Sequence, residues 1–108
     1  MDADAFGIIA GNLIDNALQH GAAGQMVQVT LSQDGVLRVV NEGPVVSPEE
    51  LTQLTKRLHQ GPVATDGFGL GLYIVDTISR QVGSSLELYS PARGRPAGFE
   101  ARFAAPMR

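Results

Sequence analysis

The first residues of the chain repeat apolar positions at the spacing of an α-helix. At about 100° per residue, a helix from about residue 4 to residue 20 gathers six apolar side chains on one side: Phe6, Ala10, Leu13, Ile14, Ala17 and Leu18. Asp2 or Asp4 can cap the start of this helix, and Gly21 with Gly24 can end it. The pattern predicts an amphipathic helix whose apolar side faces the core.

Two later stretches alternate apolar and polar residues. MVQVTLS places Val27, Val29 and Leu31 on one face, and QDG then leads into VLRVVN, so residues 26–41 predict a β-hairpin. Near the end of the chain, SSLELYS and FEARFAA flank the turn-rich stretch PARGRPAG and predict a second hairpin.

Between the hairpins the sequence predicts two more helices separated by a loop. SPEELTQL has Ser47 as a cap, Pro48 in the first turn and an acidic start, which together indicate a short helix. HQGPVATDGFG has no periodicity and predicts a mobile loop. A long helix begins at Leu70 and ends near Gly83, with an apolar stripe at Gly71, Ile74, Val75, Ile78 and Val82.

The order of these elements indicates the fold class. Helix, two strands, helix, loop, helix and two strands predict an α+β fold, a two-layer α/β sandwich with three helices on one face of a mostly antiparallel or mixed sheet. The length of 108 residues suits one domain, and 44% apolar with 18% charged residues is typical of a globular chain.

Charge and composition exclude several classes of function. A net charge of −3 gives no broad basic face, so neither nucleic acid nor an anionic membrane is expected as a partner of this domain. The chain has no cysteine, which excludes disulfides and thiolate metal sites, and its two distant histidines make a poor zinc site. No apolar run approaches the ~20 residues of a membrane span, and the acidic start MDADAF lacks the pattern of a signal peptide.

The first helix carries two asparagines, although asparagine is a mediocre helix former. In GNLIDNALQHG, Asn12 and Asn16 lie about 40° apart at the edge of the apolar side, on the same ridge as Gln19. A neutral amide oxygen can ligate Mg²⁺ and leave most of its coordination shell to water and phosphate. The alternative is that both asparagines only satisfy backbone or loop groups.

The stretch GFGLGL, residues 67–72, places three glycines at alternate positions directly before the last helix. Glycine lets backbone N–H groups approach a ligand closely, and a helix start adds partial positive charge, so this combination suits phosphate. The alternative is a flexible hinge. The stretch is not the dinucleotide fingerprint, because no strand leads into it.

Taken together, NLIDNALQHG, a turn after a strand, and GFGLGL resemble the ATP-binding catalytic domain of bacterial sensor histidine kinases over nearly the whole chain. The resemblance implies that Asn16 coordinates Mg²⁺, that the backbone of the glycine motif holds the phosphates of ATP, and that the preceding loop is a lid over ATP. It implies catalytic roles for Asn12, Asn16 and Arg57. The residues that it places around ATP are Asn12, Asn16, Gln19, His20, Asn41, Gly43, Val46, Gly67, Phe68, Gly69, Leu70, Gly71 and Leu72.

Asn12 distinguishes this chain from the other ATPases of the superfamily to which these kinases belong. Gyrase-like and chaperone ATPases carry a catalytic glutamate four residues before the magnesium asparagine, and an amide has no useful basicity. Neutral histidine is already a nucleophile, so a domain that transfers phosphate to histidine needs no base of its own. A self-contained ATPase is the disfavoured alternative.

Two motifs depart from the family pattern. NEGPV has Asn41 where the family has an aspartate that accepts a hydrogen bond from the adenine amino group, and Val45 replaces a glycine. A neutral acceptor weakens that bond by roughly 1 kcal/mol. Near the lid, the family's aromatic positions hold Thr55 and Leu58. These departures leave open a degenerate module that regulates or binds without catalysing transfer.

Lys56, Arg57 and His20 are candidate nucleotide contacts, and each allows a second interpretation. Arg57 matches the inner arginine of the lid region, and with Lys56 it is either within reach of phosphate or part of a solvated pair. His20 stands where the family often has an aromatic residue beside the nucleotide, and the alternative is a packing or solvent-exposed position.

The resemblance also implies which domain of the kinase is absent from this sequence and which partners the catalytic domain has. Neither His20 nor His59 matches the phospho-accepting histidine, so residues 1–108 are expected to be the catalytic domain without the phospho-accepting dimerisation domain. The family usually has a strand before the first helix, so either that strand is missing here or the sheet has four strands. The implied partners are ATP or ADP, the dimerisation domain of the same kinase and a downstream response regulator. The domain is expected in the cytoplasm, and its parent in the bacterial inner membrane.

Overall fold

A computed structural model describes residues 1–21, 24–60 and 70–106, and its elements follow the predicted order. They are α1 (Ala3–His20), β1 (Gln28–Leu31), β2 (Val36–Asn41), α2 (Pro48–Gln60), α3 (Leu70–Gln81), β3 (Leu86–Tyr89) and β4 (Phe99–Ala104). These strands form one sheet in the order β1-β2-β4-β3, in which every neighbouring pair is antiparallel. The predicted α+β sandwich and both hairpins are confirmed.

The helices pack on one face of the sheet. α1 contacts α3 and β2, and α2 contacts α3. The sheet residues in the core occupy alternate positions on β2 and β4, as expected for side chains that share one face. The buried core is formed by Ile9, Leu13, Ala17, Leu37, Val39, Leu54, Leu58, Leu72, Val75, Phe99, Ala101 and Phe103.

Polar caps fix the starts of two helices. The Asp2 carboxylate accepts a hydrogen bond from the Ala5 N–H at 3.1 Å, which decides between the two predicted caps of α1. At α2, the Ser47 Oγ accepts from the Glu50 N–H at 3.1 Å and donates to the Glu50 carboxylate at 3.2 Å, so the serine hydroxyl caps the helix. α2 continues to Gln60, so it is longer than predicted, and the remainder of the predicted lid loop lies outside the described residues.

Three residues assigned to apolar faces are exposed instead. Leu18 is 62% exposed, because α1 turns Ile9 and Asn16 inward and leaves Leu18 on its far flank. Val29 and Leu31, which are 48% and 57% exposed, lie on the helix side of the sheet but on its edge strand, where less of the helical layer covers them.

The buried side of α3 also differs from the predicted stripe. Val75 is buried as predicted, but Ile74 and Ile78 are only half-buried, and Leu72 and Ser79 are fully buried in their place. α3 packs between α1, α2 and β3, so its inward side is rotated relative to the apolar stripe. The Ser79 hydroxyl donates to the Val75 carbonyl at 2.7 Å, which satisfies a hydroxyl that would otherwise be costly to bury.

The sheet face opposite the helices is covered by the connection between β3 and β4, residues 90–98. Glu100 is fully buried there and accepts hydrogen bonds from Arg38 Nε at 2.9 Å, from Arg38 Nη2 at 3.1 Å and from the Arg93 N–H at 3.0 Å. Burial raises the pKa of Glu100, but these bonds and the arginine charges outweigh burial and hold that pKa below its ordinary value. The hydrogen bond to Glu100 likewise raises the pKa of Arg38.

The same connection extends across the sheet. The Arg93 guanidinium lies 5.0 Å from the centroid of the Tyr89 ring, and Arg95 donates a hydrogen bond to the side chain of Gln28 on the edge strand. The connection therefore spans β3, β4 and β1 and is attached to the sheet by its arginines.

Candidate functional site

The asparagine side of α1 faces the first turn of α3. A side-chain Cβ at Gly71 would lie 3.3 Å from Asn12 Oδ1, closer than almost any ordinary contact, so only glycine allows this approach without a shift of its neighbour. A cavity of about 160 Å³ lies at this junction and is lined by Asn12, Asp15, Asn16, Gln19 and Gly71. Two motifs far apart in sequence therefore meet at one cavity, which has room for a metal ion with bound waters or for a phosphate group.

Asn16 is the buried polar residue of this cavity. Only 6% of the residue is exposed, and it lines the cavity one helical turn from Asn12. An amide oxygen on the wall of a polar cavity is the kind of neutral ligand that Mg²⁺ accepts beside water and phosphate. The Asn16 oxygen is therefore a candidate ligand for a cation in the cavity.

Asn12 is held differently. Its Nδ2 donates to the Ile8 carbonyl one turn earlier in the helix at 2.8 Å, while its Oδ1 is directed towards Gly71. The backbone bond agrees with the structural alternative considered for the asparagines, but only for this one of the pair. Asn12 shapes the cavity wall and carries no group that could accept a proton from water.

Asp15 was missed as a site residue by the sequence reasoning, although it stands directly before Asn16. It lines the same cavity and brings the only carboxylate among the described residues that line it. A negative charge on the wall favours a cation in the cavity. Its position on the Asn12 and Gln19 side of α1 was a signal available in the sequence.

The end of β2 and the segment between β2 and α2 hold the candidate base-binding residues. Asn41 ends β2, is 4% exposed, and donates from Nδ2 to the Glu42 carbonyl at 3.0 Å. Gly43 has φ +140°, a backbone conformation that favours glycine. Val46 packs against the core, and its N–H donates to the Ser90 hydroxyl at 2.8 Å.

The remaining candidates are not brought to this cavity by the described structure. Arg57 is half-buried on α2 and does not line the cavity, and Leu72 is fully buried in the core. His20 is half-buried at the end of α1. Gly67, Phe68 and Gly69 lie outside the described residues, and Leu70 is described only as the first residue of α3.

No group of three His, Cys, Asp or Glu side chains is placed to hold a metal ion among residues 1–21, 24–60 and 70–106. A cation bound at Asn16 would therefore take most of its ligands from water and phosphate, as Mg²⁺ does beside nucleotides. None of the described helices is long and apolar enough to cross a membrane.

Two helical glycines give a matched test of the close approach at Gly71. Gly11→Ala meets nothing within 4 Å, so it should raise the free energy of unfolding by about 0.5–1 kcal/mol and leave nucleotide binding unchanged. Gly71→Ala should crowd Asn12 and weaken Mg–ADP binding roughly fivefold, a cost of about 1 kcal/mol. Isothermal calorimetry measures Mg–ADP binding by the two variants, and thermal unfolding measures their stability. Equal binding by both variants would show that the close approach of Gly71 to Asn12 is not part of the site.

Comparison with known proteins places the chain in a family. The model of the family described as histidine kinase-, DNA gyrase B-, and HSP90-like ATPase matches residues 1–108, and the chain belongs to this family. Within it, the sensor protein QseC of Escherichia coli is 38% identical over 96 residues, which are 88% of this chain and 20% of QseC. The chain thus spans about a fifth of the length of QseC and of similar curated relatives such as the sensor protein kinase PmrB of Pseudomonas aeruginosa.

Solved structures agree with the sequence comparison. The fold matches the mycobacterial sensor histidine kinase MprB with a TM-score of 0.73 at 26% identity, over 95% of this chain and 70% of that one. It matches the histidine kinase domain of the E. coli osmosensor EnvZ with a TM-score of 0.58 at 26% identity, over 100% of this chain and 68% of that one. The resemblance to an ATP-binding histidine kinase catalytic domain is confirmed.

Proposed function

We propose that this chain binds Mg–ATP at the cavity between α1 and α3 and presents the γ-phosphate to a histidine on a separate dimerisation domain. The observation that carries this proposal is the meeting of the two motifs at one cavity: Asn16, a buried polar residue, lines it one helical turn from the close approach of Asn12 to Gly71. Membership of the ATPase family supports ATP binding, and the size and polar lining of the cavity support it as the place for metal-bound phosphates.

The residues have distinct roles in this proposal. Asn16 Oδ1 ligates Mg²⁺, Asp15 adds negative charge to the wall, and the backbone at Gly71 lies next to the phosphates. The Mg²⁺ ion, when bound, neutralises charge on the phosphate oxygens. Asn41, Gly43 and Val46 contact the base, with Gln19 and His20 at the same end of α1. Arg57 is not part of the cavity wall, so its proposed role is an approach to the phosphates from outside the cavity, on α2. Leu70 and Leu72 contribute backbone groups.

The site offers positioning and charge neutralisation but no general base. The Asn12 amide cannot take a proton from water, and the Asn12 donor is already bonded to the Ile8 carbonyl. A neutral histidine needs no such base, so transfer to histidine fits this site better than hydrolysis of ATP. This favours a kinase domain over a self-contained ATPase.

A second candidate function is a regulatory module that binds nucleotide weakly and transfers no phosphate. One observation favours it: the Asn41 amide is engaged with the neighbouring Glu42 carbonyl, as a structural asparagine would be. Its Oδ1 remains the atom that would accept from adenine. The two candidates differ in whether phosphate reaches a histidine.

The partners and location of the whole protein follow from the same proposal. The phospho-accepting dimerisation domain belongs to the same kinase, and a response regulator takes the phosphate from its histidine. The parent protein lies in the bacterial inner membrane, with this domain in the cytoplasm.

Two measurements test the proposed function. Calorimetry with ADP and Mg²⁺ should show saturable one-site binding well below about 1 mM, and the isolated domain should hydrolyse little ATP. Radiolabelled ATP should then label the parent's dimerisation domain when it is added in trans. Absence of saturable binding would contradict the nucleotide site, whereas binding without labelling would favour the regulatory module, and rapid hydrolysis would favour the ATPase.

A further inference from the structure

The connection between β3 and β4 also contacts the candidate base-binding segment, residues 42–47. The Ser90 hydroxyl accepts from the Val46 N–H at 2.8 Å and donates to the Gly98 carbonyl at 2.7 Å. The Gly98 N–H in turn donates to the Gly43 carbonyl at 3.1 Å. One half-buried side chain, Ser90, therefore joins both ends of the connection to the segment after β2.

Gly98 brings the two backbones unusually close. A Cβ at this position would lie 2.6 Å from the Asn41 carbonyl oxygen, and its φ is +91°, so the approach requires glycine. Asn41 and Phe99 are also direct partners in the β2–β4 ladder. The position of the Asn41 backbone is thus set from the side of β4 as well as by its own strand.

The connection that carries Ser90 is itself firmly held. The Ala92 N–H donates to the Ala97 carbonyl at 3.3 Å and the Arg95 N–H donates to the Ala92 carbonyl at 3.0 Å, which closes a turn. Ala92 is 1% exposed, and the next residue, Arg93, is bonded through its N–H to buried Glu100. A rigid support of this kind can hold a neighbouring loop in one geometry.

We propose that Ser90 is a positioning residue for the base-binding half of the nucleotide site: its hydroxyl fixes Val46 and, through Gly98, the Gly43 and Asn41 backbone. This inference rests on the proposed function. Ser90 does not touch the nucleotide, but it sets the geometry in which Asn41 meets the adenine amino group. It therefore affects recognition of the base more than of the phosphates, because Asn16 and Gly71 lie on α1 and α3.

The chemistry of the hydroxyl explains why serine is suited to this position. A hydroxyl has one donor and two acceptor lone pairs, so it can pair with an N–H and a C=O at once. Alanine leaves the Val46 N–H and the Gly98 carbonyl without this bridge, and the segment is free to relax away from the position in which Asn41 faces adenine. Threonine retains the hydroxyl and should retain the bridge.

The test compares nucleotides that differ at the adenine amino group. Dissociation constants of Mg–ATP and Mg–inosine triphosphate, which lacks that group, are measured for wild type, Ser90→Ala, Ser90→Thr and the exposed control Ser85→Ala. We expect Ser90→Ala to weaken ATP binding about three- to tenfold and inosine triphosphate binding less than twofold. Transfer at saturating ATP should keep its rate, Ser90→Thr should restore the ATP preference, and Ser85→Ala should match wild type.

A merely structural role would give a different pattern. If Ser90→Ala weakens both nucleotides equally, or binds ATP as wild type does, the inference is overturned. If Ser90→Ala does not fold, Ser90→Cys serves in its place, because a thiol is a weaker donor and acceptor and should give a smaller loss of the same preference. Failure of wild type to bind either nucleotide would instead contradict the proposed function, which separates the two results.

Discussion

Replacing Asn16 by alanine is expected to weaken Mg–ATP binding and phosphoryl transfer on the order of 100-fold. Loss of groups that merely support a metal ligand costs about 10- to 100-fold, so loss of the ligand itself should fall at the upper end. The fold should be little affected, since Asn16 lines a cavity and is not part of the apolar core, and the free energy of unfolding should change by less than about 1 kcal/mol.

The contrast between function and stability makes this variant informative. Calorimetry with and without Mg²⁺ measures nucleotide binding, and thermal unfolding measures stability. Asn16→Asp, which keeps an oxygen ligand, should retain measurable Mg²⁺-dependent binding. If Asn16→Ala bound Mg–ATP as tightly as wild type, Asn16 would not be the magnesium ligand; if it unfolded, Asn16 would have a structural role that its contacts do not reveal.

Much of the fold follows from patterns that the sequence displays locally. The 3.6-residue period predicted α1 and α3, alternation predicted both hairpins, and Ser47 with Glu50 marked the start of α2. These patterns depend on short-range physics. They do not determine which strand inserts between others, and the position of β4 between β2 and β3 is a tertiary result.

The errors have the same origin. Val29 and Leu31 fit an alternating strand, but a pattern cannot show that β1 is an edge strand. Glu100 lies at a position of β4 that alternation assigns to solvent, and it is buried only because residues 90–98 fold over that face. The path of residues 90–98 cannot be predicted from a periodic sequence pattern, so the burial of Glu100 could not be predicted either.

The candidate site was predictable to the extent that its chemistry is encoded in motifs. Asn12, Asn16 and Gly71 belong to two motifs, and the structure brings them to one cavity. Asp15 lines it because of a helical position that the sequence already contained. Ser90 could not have been found, since its relation to Val46 exists only after β3 and β4 are placed beside the segment that follows β2.

Replacing Glu100 by alanine is expected to lower the free energy of unfolding by about 3 kcal/mol. Removing one partner of a buried ion pair typically costs about 3–5 kcal/mol, and the lower end applies because the Arg38 side chain is 34% exposed and can still be hydrated. The variant also leaves the Arg93 N–H without its acceptor. Glu87→Ala is the matched control: Glu87 is 52% exposed and lies 3.6 Å from Arg102, so its loss should cost less than about 0.5 kcal/mol.

The ion pair also predicts how stability changes with acid. Because the pKa of Glu100 is held below its ordinary value of 4.5, the folded state binds this proton less readily than the unfolded state. The Glu100 contribution is therefore complete above pH 4.5 and is lost as pH falls through the lower folded-state pKa. Chemical unfolding of wild type and Glu100→Gln should show a difference in stability that is full at neutral pH and shrinks below pH 4.5, while Glu87→Gln runs parallel to wild type. A difference that stays constant or grows in acid would mean that the charge of Glu100 is not what holds residues 90–98 to the sheet.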